Sequence, residues 1–197
     1  MLHIHPDNGF EEIPTKSISS KVFKKEGKVY KINKRNSFER ALSDWNTIQS
    51  ELSEFSKHIP ETKISTCLYQ NEEYTCIKQD LINGKELFLF TPEEINSIFK
   101  KKVNREFIKK LATYFFDSIK SKNLYPDIVG NPSDPHILNS VNLIVDESGH
   151  LILCDVGLSP HEDTLSKQGE AFFESDNVKL YVKRIEDSIR DLELTQD

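Results

Sequence analysis

The sequence predicts an α+β protein in two lobes, and three observations lead to this prediction. As far as residue 79 the chain is dominated by short apolar runs typical of strands, with one helical stretch among them. After a connector at residues 80–86, the apolar residues recur mainly at helical spacing. Further on, residues 142–157 contain two apolar runs around a turn, the pattern of a β-hairpin. We therefore expect a small antiparallel-sheet N-lobe and a reduced, mainly helical C-lobe.

Length and composition fit a soluble globular protein. The 197 residues suffice for a core, and a formal net charge of −6 gives no overall attraction to nucleic acid or to an anionic membrane. The three cysteines, Cys67, Cys76 and Cys154, lack metal-binding spacing and lie in apolar stretches. We expect a reducing, cytoplasmic location, with no nucleic-acid partner, membrane span or signal peptide.

The chain is expected to begin with an N-terminal arm. Residues 1–16 are polar and contain two prolines. The N-lobe, residues 17–83, then opens with a hairpin whose turn lies at residues 25–28. Small residues precede its first strand, and around Ser19 and Ser20 the backbone N–H groups could approach an anion.

A lysine lies in the second strand of this hairpin. Strand alternation places the side chain of Lys31 on the face opposite Tyr30 and Ile32. Two interpretations follow from this stretch alone. Lys31 is either a cation set in an apolar strand or an outward, solvated side chain.

A helix and two further strands complete the N-lobe. The helix is expected from Phe38 to Lys57, with Ser37 as its N-cap. Its apolar face consists of Leu42, Trp45, Ile48, Leu52 and Phe55. The strands are expected at residues 64–69 and 74–79.

The C-lobe, residues 84–197, is expected to be rich in helices. Thr91 and Glu94 form the sequence pattern of a capping box, with a proline at the first helical position. A longer helix is predicted over residues 104–122. Its buried stripe consists of Phe107, Ile108, Leu111, Phe115 and Ile119. A final amphipathic helix begins near Val178.

The hairpin at residues 142–157 is notable for its two ends. An asparagine, Asn142, opens the first strand and an aspartate, Asp155, closes the second. Folding on the central turn brings an amide oxygen and a carboxylate to one end of the sheet. These are ligands that suit Mg²⁺. The alternative is a hairpin with ordinary, solvated polar ends.

The order of these parts resembles the protein kinase-like fold, which includes eukaryotic-type kinases and the aminoglycoside and choline kinase-like enzymes. The run NLIVDESGHLILCDVG at residues 142–157 is similar to that superfamily's catalytic-loop Asn, following hairpin and Asp-Phe-Gly motif. The run VYKI at residues 29–32 resembles the nucleotide-binding lysine strand, and residues 79–87 resemble the hinge. The similarity covers roughly residues 17–158.

The resemblance implies an ATP- and Mg²⁺-dependent phosphotransferase. Asp155 and Asn142 would bind Mg²⁺, and Lys31 would contact the nucleotide phosphates while paired with an acid of the helix. That acid is expected to be Glu51. Its alternatives are Asp44 and Glu39, and each of the three could instead be a solvated helix acid.

Further nucleotide contacts follow from the same resemblance. Ser19 and Ser20 take the position of the phosphate loop, and Gln79 and Leu81 lie in the segment that resembles the hinge. Together with Lys31 and its acid they would bind the nucleotide.

The catalytic base is expected to be Asp127. The run YPDIVG at residues 125–130 resembles the family's base motif and is followed by an insertion before Asn142. Asp134 is the alternative, because Asp134 and Asn139 have the family's five-residue spacing. Either aspartate could instead cap a turn.

Three features depart from the family pattern. Serines stand where the phosphate loop usually has glycines, Val156 replaces the Phe of Asp-Phe-Gly, and no Ala-Pro-Glu signature follows Gly157. The acceptor is therefore expected to be a hydroxyl of a small molecule or of a protein, with a small molecule favoured. The alternatives are a pseudokinase, acting as a nucleotide-binding or protein-interaction module, and an α+β domain unrelated to kinases.

Overall fold

The computed structural model describes residues 1–14, 20–33, 38–122, 124–126, 142–155 and 158–160, together with residues 187 and 190. The chain divides into two units, Met1–Ser50 with Pro60–Asn83, and Glu51–Ile59 with Gly84–Asp197. The segment Glu51–Ile59, expected in the N-lobe, thus belongs to the second unit. Several expected features lie outside the described residues, namely the sites Ser19, Asp127 and Asp134, the cap Ser37 and most of the C-terminal helix.

The first unit contains one six-stranded sheet. Its strands in chain order are β1 Leu2–His3, β2 Glu11–Ile13, β3 Ser20–Lys25, β4 Lys28–Asn33, β5 Lys63–Tyr69 and β6 Glu72–Asp80. Their order across the sheet is β1-β5-β6-β4-β3-β2. The β1–β5 pair is parallel and the other pairs are antiparallel. The expected antiparallel sheet therefore carries one parallel edge strand.

Two tight turns set the register of this sheet. Glu26 and Gly27 join β3 to β4 with φ angles of 49° and 69°, and Gln70 and Asn71 join β5 to β6 with φ angles of 51° and 64°. Positive φ at both positions is typical of a type I′ turn, whose twist matches that of the paired strands. Both predicted hairpins are present. Strand β6 begins earlier than expected, at Glu72, because the turn needs no further residues.

The expected N-terminal arm is instead part of the sheet. Its ends form the two edge strands, and a 3-10 helix, Pro6–Asn8, lies between them. Ile4 and Phe10 are buried with Phe23 and Tyr30, and this apolar burial offsets the entropy lost when the segment is ordered. Across a flat sheet the two edges would be about 24 Å apart. So short a connection therefore fits a curled sheet.

The helix of the first unit ends earlier than predicted. Helix α1 spans Phe38–Glu51, and a 3-10 helix, Ser53–His58, follows it with non-helical angles at Phe55. The buried residues of α1 are Ala41, Trp45 and Ile48. Leu42, expected on this face, is 37% exposed. That prediction is wrong because Ala41, and not Leu42, lies four and seven residues before the other two buried positions.

The second unit combines helices with two small sheets. Its elements in chain order are β7 Gly84–Glu86, α2 Pro92–Phe99, α3 Lys102–Lys122, β8 Leu124–Pro126, β9 Leu143–Asp146, β10 Leu151–Leu153 and β11 Leu158–Pro160. One sheet has the order β10-β9-β7, and β11 pairs with β8 in the other. The expected connector over residues 80–86 thus contains a strand, β7, which pairs with β9.

The helices of this unit follow the predicted caps and stripe. The Thr91 hydroxyl accepts a hydrogen bond from the Glu94 amide at 3.3 Å, and the Glu94 carboxylate accepts one from the Thr91 amide at 2.7 Å. The capping box is therefore confirmed. The buried stripe of α3 includes Phe107, Ile108 and Leu111. The side chains of Phe115 and Ile119 lie outside the described part of the chain.

Within the described ranges, no helix is both long enough and apolar enough to cross a bilayer.

Candidate functional site

The end of the β9–β10 hairpin brings Asn142 and Asp155 together. Leu143 pairs with Leu153, and the amide of Cys154 donates a hydrogen bond to the carbonyl of Asn142 over 2.8 Å. Asp155 follows Cys154 directly. Asn142 and Asp155 are partly exposed, whereas Leu143 and Leu153 behind them are fully buried. The hairpin thus has an apolar body, and its end at Asn142 and Asp155 is polar and partly exposed.

The donor atoms at this end suit a hard divalent cation. Asn142 has an amide oxygen and Asp155 has a carboxylate, and Mg²⁺ prefers oxygen ligands. In proteins Mg²⁺ is commonly held by one or two such groups and completes its coordination with water and substrate phosphate. The donor chemistry of Asn142 and Asp155 is therefore compatible with Mg²⁺.

The opposite end of the hairpin is closed by a network around Asp146. Its Oδ1 atom accepts hydrogen bonds from the amides of Ser148 and His150, at 2.9 and 2.8 Å, and from the Ser148 hydroxyl at 2.7 Å. Partial burial acts to raise the pKa of Asp146, but these hydrogen bonds outweigh it, and the pKa is lowered. The charged carboxylate therefore fixes the turn at neutral pH.

Strand β10 is buried although it lies at the edge of its sheet. Its residues Leu151, Ile152 and Leu153 are at most 6% exposed. Backbone hydrogen bonds join Asp146 to His150 and Asn142 to Cys154. Because bonded and non-bonded pairs alternate in an antiparallel ladder, the N–H and C=O of Leu151 point away from β9. Buried backbone groups of this kind need other partners.

Two buried side chains supply those partners. The Leu151 amide donates a hydrogen bond to Oδ1 of Asn104 over 3.2 Å, and the Leu151 carbonyl accepts one from Nδ1 of His58 over 2.6 Å. The Asn104 side chain also donates to the carbonyls of Gly149, at 2.9 Å, and Ile98, at 3.0 Å. Asn104 is 0% exposed and His58 is 2% exposed. For Leu151, the two side chains take the place of a neighbouring strand.

His58 is enclosed by aromatic rings. Its imidazole stacks on Phe107 with ring centroids 4.4 Å apart, and the ring of Phe55 lies 5.9 Å away. Because a carbonyl oxygen can only accept, Nδ1 carries the proton that is donated to Leu151. Burial lowers the pKa of His58, and the hydrogen bond to Leu151 opposes this only in part. The neutral ring is therefore favoured in the folded protein.

Sequence reasoning missed both of these residues. A signal for Asn104 existed, because it lies four residues before Ile108 and seven before Leu111, on the buried face of α3. A polar side chain at such a position needs a buried partner. The sequence around His58 contains no comparable signal, since the two bonded residues are 93 positions apart.

A second ladder joins the chain before Asp127 to the chain after Asp155. In the β8–β11 pair, Pro126 lies opposite Leu158. Pro126 directly precedes Asp127, which is outside the described residues, and Leu158 follows Asp155 by three positions. The second unit thus brings these two parts of the sequence side by side.

In the first unit, Lys31 lies on a strand with neighbours on both sides. Its Cα partners are Val22 on β3 and Ile77 on β6. Tyr30 and Ile32 belong to the buried cluster on one face of the sheet, so alternation places Lys31 on the other face. Its side chain is partly buried. The side chain of Lys31 is thus neither fully buried nor fully exposed, and both interpretations of it stay open.

Three further candidates for nucleotide contact, Ser20, Gln79 and Leu81, lie among the described residues of this unit. The Ser20 hydroxyl accepts a hydrogen bond from Asn33 at 3.1 Å, and the Gln79 side chain donates one to the Thr62 hydroxyl at 3.0 Å. Ser20 and Gln79 are each 8% exposed. The Leu81 amide donates to the carbonyl in the β3–β4 turn at 2.9 Å, and its side chain is 37% exposed. Leu81 is thus the most accessible of the three.

The three candidate acids for Lys31 lie on α1. Glu51 is its last residue, is exposed, and falls in the second unit, whereas Lys31 is in the first. Glu39 is exposed in the first turn. Asp44 is partly buried in the same unit as Lys31 and lies three residues after buried Ala41. Burial therefore favours Asp44 over the predicted Glu51.

Solved structures similar to this chain include a viral kinase. No protein-family model matches the sequence, and no curated protein matches it. The chain is similar to the kinase PK-1 of the Cydia pomonella granulovirus, with 19% sequence identity and a TM-score of 0.39. The match covers 75% of this chain and 51% of the viral kinase, so the chain spans about half of its length.

Proposed function

We propose that the protein is an ATP- and Mg²⁺-dependent phosphotransferase of minimal size. The observation that carries this proposal is the polar end of the β9–β10 hairpin. There the hydrogen bond of 2.8 Å from the Cys154 amide to the Asn142 carbonyl joins the two strands, so that Asn142 and the adjacent Asp155 lie at the same end of the hairpin. Bound Mg²⁺ would supply positive charge against the phosphate oxygens during transfer.

The side chains of this chain would divide the work as follows. Asp155 and Asn142 bind the cation. Lys31 binds phosphate oxygens from its strand and pairs with an acid of α1. We assign that acid as Asp44, on burial, with Glu51 as the alternative. Phosphoryl transfer needs positioning and charge stabilisation more than covalent help, and these groups provide both.

Asp127 is proposed as the base that orients or deprotonates the acceptor hydroxyl. Its support is the β8–β11 ladder, because Asp127 follows Pro126, which pairs with Leu158 close after Asp155. Asp134 lies eight positions beyond that ladder. The acceptor class stays as the sequence predicts, a hydroxyl of a small molecule or of a protein.

A nucleotide-binding module without catalysis is the second candidate. The hydroxyl of Ser20 is buried and accepts a hydrogen bond from Asn33. This hydroxyl is therefore bonded within the sheet. A glycine-rich phosphate loop in this segment would instead offer open backbone amides. This observation favours weaker phosphate contact than in a complete kinase.

Thermal denaturation with ATP and Mg²⁺ tests the binding step. We expect the wild type to be stabilised by ATP with Mg²⁺, and Asp155→Asn to lose the Mg²⁺-dependent part of that shift while keeping its own melting temperature. Asp80→Asn removes a carboxylate from an exposed pair with Lys28 and serves as the matched control. A wild type that does not respond would contradict the proposal, and a shift that survives Asp155→Asn would contradict the metal assignment.

Turnover of ATP separates the two candidate functions. An enzyme should hydrolyse or transfer the terminal phosphate, losing about 10²-fold or more in Asp127→Ala and little in Asp134→Ala. Binding without turnover in the wild type would support the non-catalytic module. Loss in Asp134→Ala alone would make Asp134 the base.

A further inference from the structure

The bond from His58 to Leu151 links an aromatic cluster to the strand that ends in Asp155. We propose that His58 is a positioning residue for Asp155, acting through strand β10; the inference rests on the proposed function. His58 lies outside the β9–β10 hairpin and outside helices α2 and α3. It is the last residue of the 3-10 helix Ser53–His58. This segment belongs to the second unit, although in the sequence it lies between the two parts of the first.

Among the described strands, β10 is bonded to one neighbour, β9. On the side of β9, its pairing fixes the register from Leu151 to Leu153. On its outer side, Asn104 bonds the Leu151 amide and His58 bonds the Leu151 carbonyl. These two bonds fix the tilt of the strand, since two atoms of one residue are held from two different elements.

Leu151 lies four residues before Asp155 in the chain. Four residues of extended chain span about 13 Å, and Leu153 and Cys154 lie between, bonded or paired to the facing strand. A change in tilt at Leu151 therefore reaches Asp155 instead of being absorbed by a flexible loop. Asn142 would move less, because β9 is held between two strands.

Loss of the His58 donor should affect the position of Asp155 more than the stability of the folded protein. Without the imidazole donor, the Leu151 carbonyl is left buried, and the strand can recover a partner only by turning outward toward water. Asn104 still holds the amide and the turn. The expected result is a folded protein whose Asp155 is displaced, so that the Mg²⁺ requirement changes more than the stability does.

The experiment compares His58→Phe with His58→Asn. Phenylalanine keeps a ring to stack on Phe107 and loses the donor. Asparagine loses the ring and keeps an N–H donor, because its amide nitrogen is as many bonds from the backbone as Nδ1 of histidine. For each full-length variant, the Mg²⁺ concentration that gives half of the maximal ATP-dependent stabilisation and turnover is measured well below the melting temperature.

Two control variants are matched to the alternatives. Ala112→Gly in α3 costs about 1 kcal/mol through helix propensity, loses the packing of one buried methyl group as well, and leaves both bonds to Leu151 in place. Lys101→Met removes a hydrogen bond to the Ser148 carbonyl at the far turn of the same hairpin. Both controls should keep the half-maximal Mg²⁺ concentration within about twofold of the wild type.

Loss of support for a metal ligand commonly weakens metal binding by about 10- to 100-fold, and His58 acts at one remove. We therefore expect an increase of about fivefold or more in His58→Phe and recovery to within about twofold in His58→Asn. A shift in His58→Phe no larger than that in Ala112→Gly, or no recovery in His58→Asn, would overturn the inference.

The remaining outcomes are also decisive. If the wild type itself does not respond to ATP and Mg²⁺, the proposed function fails and the inference fails with it, whereas a responsive wild type with unchanged variants overturns the inference alone. If His58→Phe does not fold, His58→Gln replaces it. Its donor sits one bond further out, and we expect about a threefold increase, with no increase overturning the proposal.

Discussion

Strands β4 and β10 each carry or precede a candidate site residue, and they are held in place in different ways. Strand β4, with Lys31, has β3 on one side and β6 on the other, so its backbone groups are bonded by strands. Strand β10, which leads to Asp155, has β9 on one side and the side chains of Asn104 and His58 on the other. Strand β4 is thus held by backbone hydrogen bonds on both sides. Strand β10 is held by backbone on one side and by side chains on the other.

This difference decides how the two sites should respond to mutation. A ladder made of backbone hydrogen bonds survives most side-chain substitutions in its neighbours. A strand held by an asparagine and a histidine depends on those residues in particular, because their removal leaves buried N–H and C=O groups without partners. We therefore expect the second unit to contain single positions of large effect that have no counterpart around β4.

Removing Asn104 should give the largest effect. Asn104→Ala leaves the carbonyls of Ile98 and Gly149 and the amide of Leu151 without their partner, and each such loss costs about 1–3 kcal/mol. We expect the second unit to lose about 3–5 kcal/mol. The matched change Asn33→Ala removes a partly buried bond to Ser20 at the end of β4 and should cost about 1 kcal/mol or less.

Amide hydrogen exchange is the suitable measurement for this pair. Trp45, the single tryptophan, lies in the first unit, so fluorescence would report on the wrong region. Exchange should accelerate strongly at β10 and α3 in Asn104→Ala and only locally at β3 and β4 in Asn33→Ala. Equal losses in the two variants would remove the proposed difference between the strands.

Two glycines give the next largest contrast. A Cβ at Gly84 would lie 2.3 Å from the carbonyl oxygen of Val145 and 2.6 Å from a methyl carbon of Ile144, so β7 would have to separate from β9. Gly27, in the turn before β4, has φ of 69° and open space around it. We expect Gly84→Ala to cost about 2–4 kcal/mol and Gly27→Ala about 1 kcal/mol.

Urea denaturation followed by circular dichroism measures both glycine variants. The order of the two losses is the informative result. If Gly27→Ala proved the more damaging, backbone strain in the turn would outweigh close packing between β7 and β9, and the hairpin of the second unit would be less constrained than we argue.

Acidification should weaken the second unit through His58. Burial lowers its pKa below the ordinary value of 6.5, although the Leu151 carbonyl and the charge of Asp146 oppose the shift and His150 adds to it. As pH falls through about 6.5, the unfolded chain takes up a proton that the folded ring resists, so stability is lost. The lowered pKa of Asp146 acts in the same sense at lower pH.

The comparison of wild type with His58→Phe isolates this effect. The wild type should be the more stable at pH 7, and its advantage should narrow as the pH is lowered toward 5, because the phenylalanine ring does not titrate. Melting temperatures at several pH values measure the gap. A difference in melting temperature that stays constant with pH would mean that His58 takes up its proton equally in the folded and unfolded states.

The elements that the sequence predicts well are those set by neighbouring residues. The turns at Gly27 and Asn71, the capping box at Thr91 and the closure of the hairpin between Asn142 and Asp155 all follow from local spacing. The N-terminal strands do not, because Leu2 pairs with Cys67 across the sheet. A polar composition cannot show that Ile4 and Phe10 will meet a buried cluster formed by strands further along the chain.

The support of the candidate site was missed for the same reason. The Asn104 bond to Leu151 spans 47 positions and the His58 bond spans 93. Neither spacing has a local pattern. The candidate residues at the hairpin end could be named from the sequence because a turn brings the two strand ends together, but the groups that hold the hairpin depend on how distant segments pack.

The smallest effects are expected at exposed charged residues, one at the start of β4 and one near the β9–β10 hairpin. Lys28, at the start of β4, bonds Asp80 with side chains 40% and 48% exposed, and Lys101 bonds the turn of the β9–β10 hairpin from an exposed position. Exposed pairs gain little because solvent screens them and ordering two flexible side chains opposes them. We expect neither Lys28→Met nor Lys101→Met to shift the urea midpoint detectably, at low or high salt. A clear loss in Lys101→Met alone would show that the hairpin of the second unit depends on side chains even where they are exposed, and it would extend the contrast with β4 from buried groups to the surface.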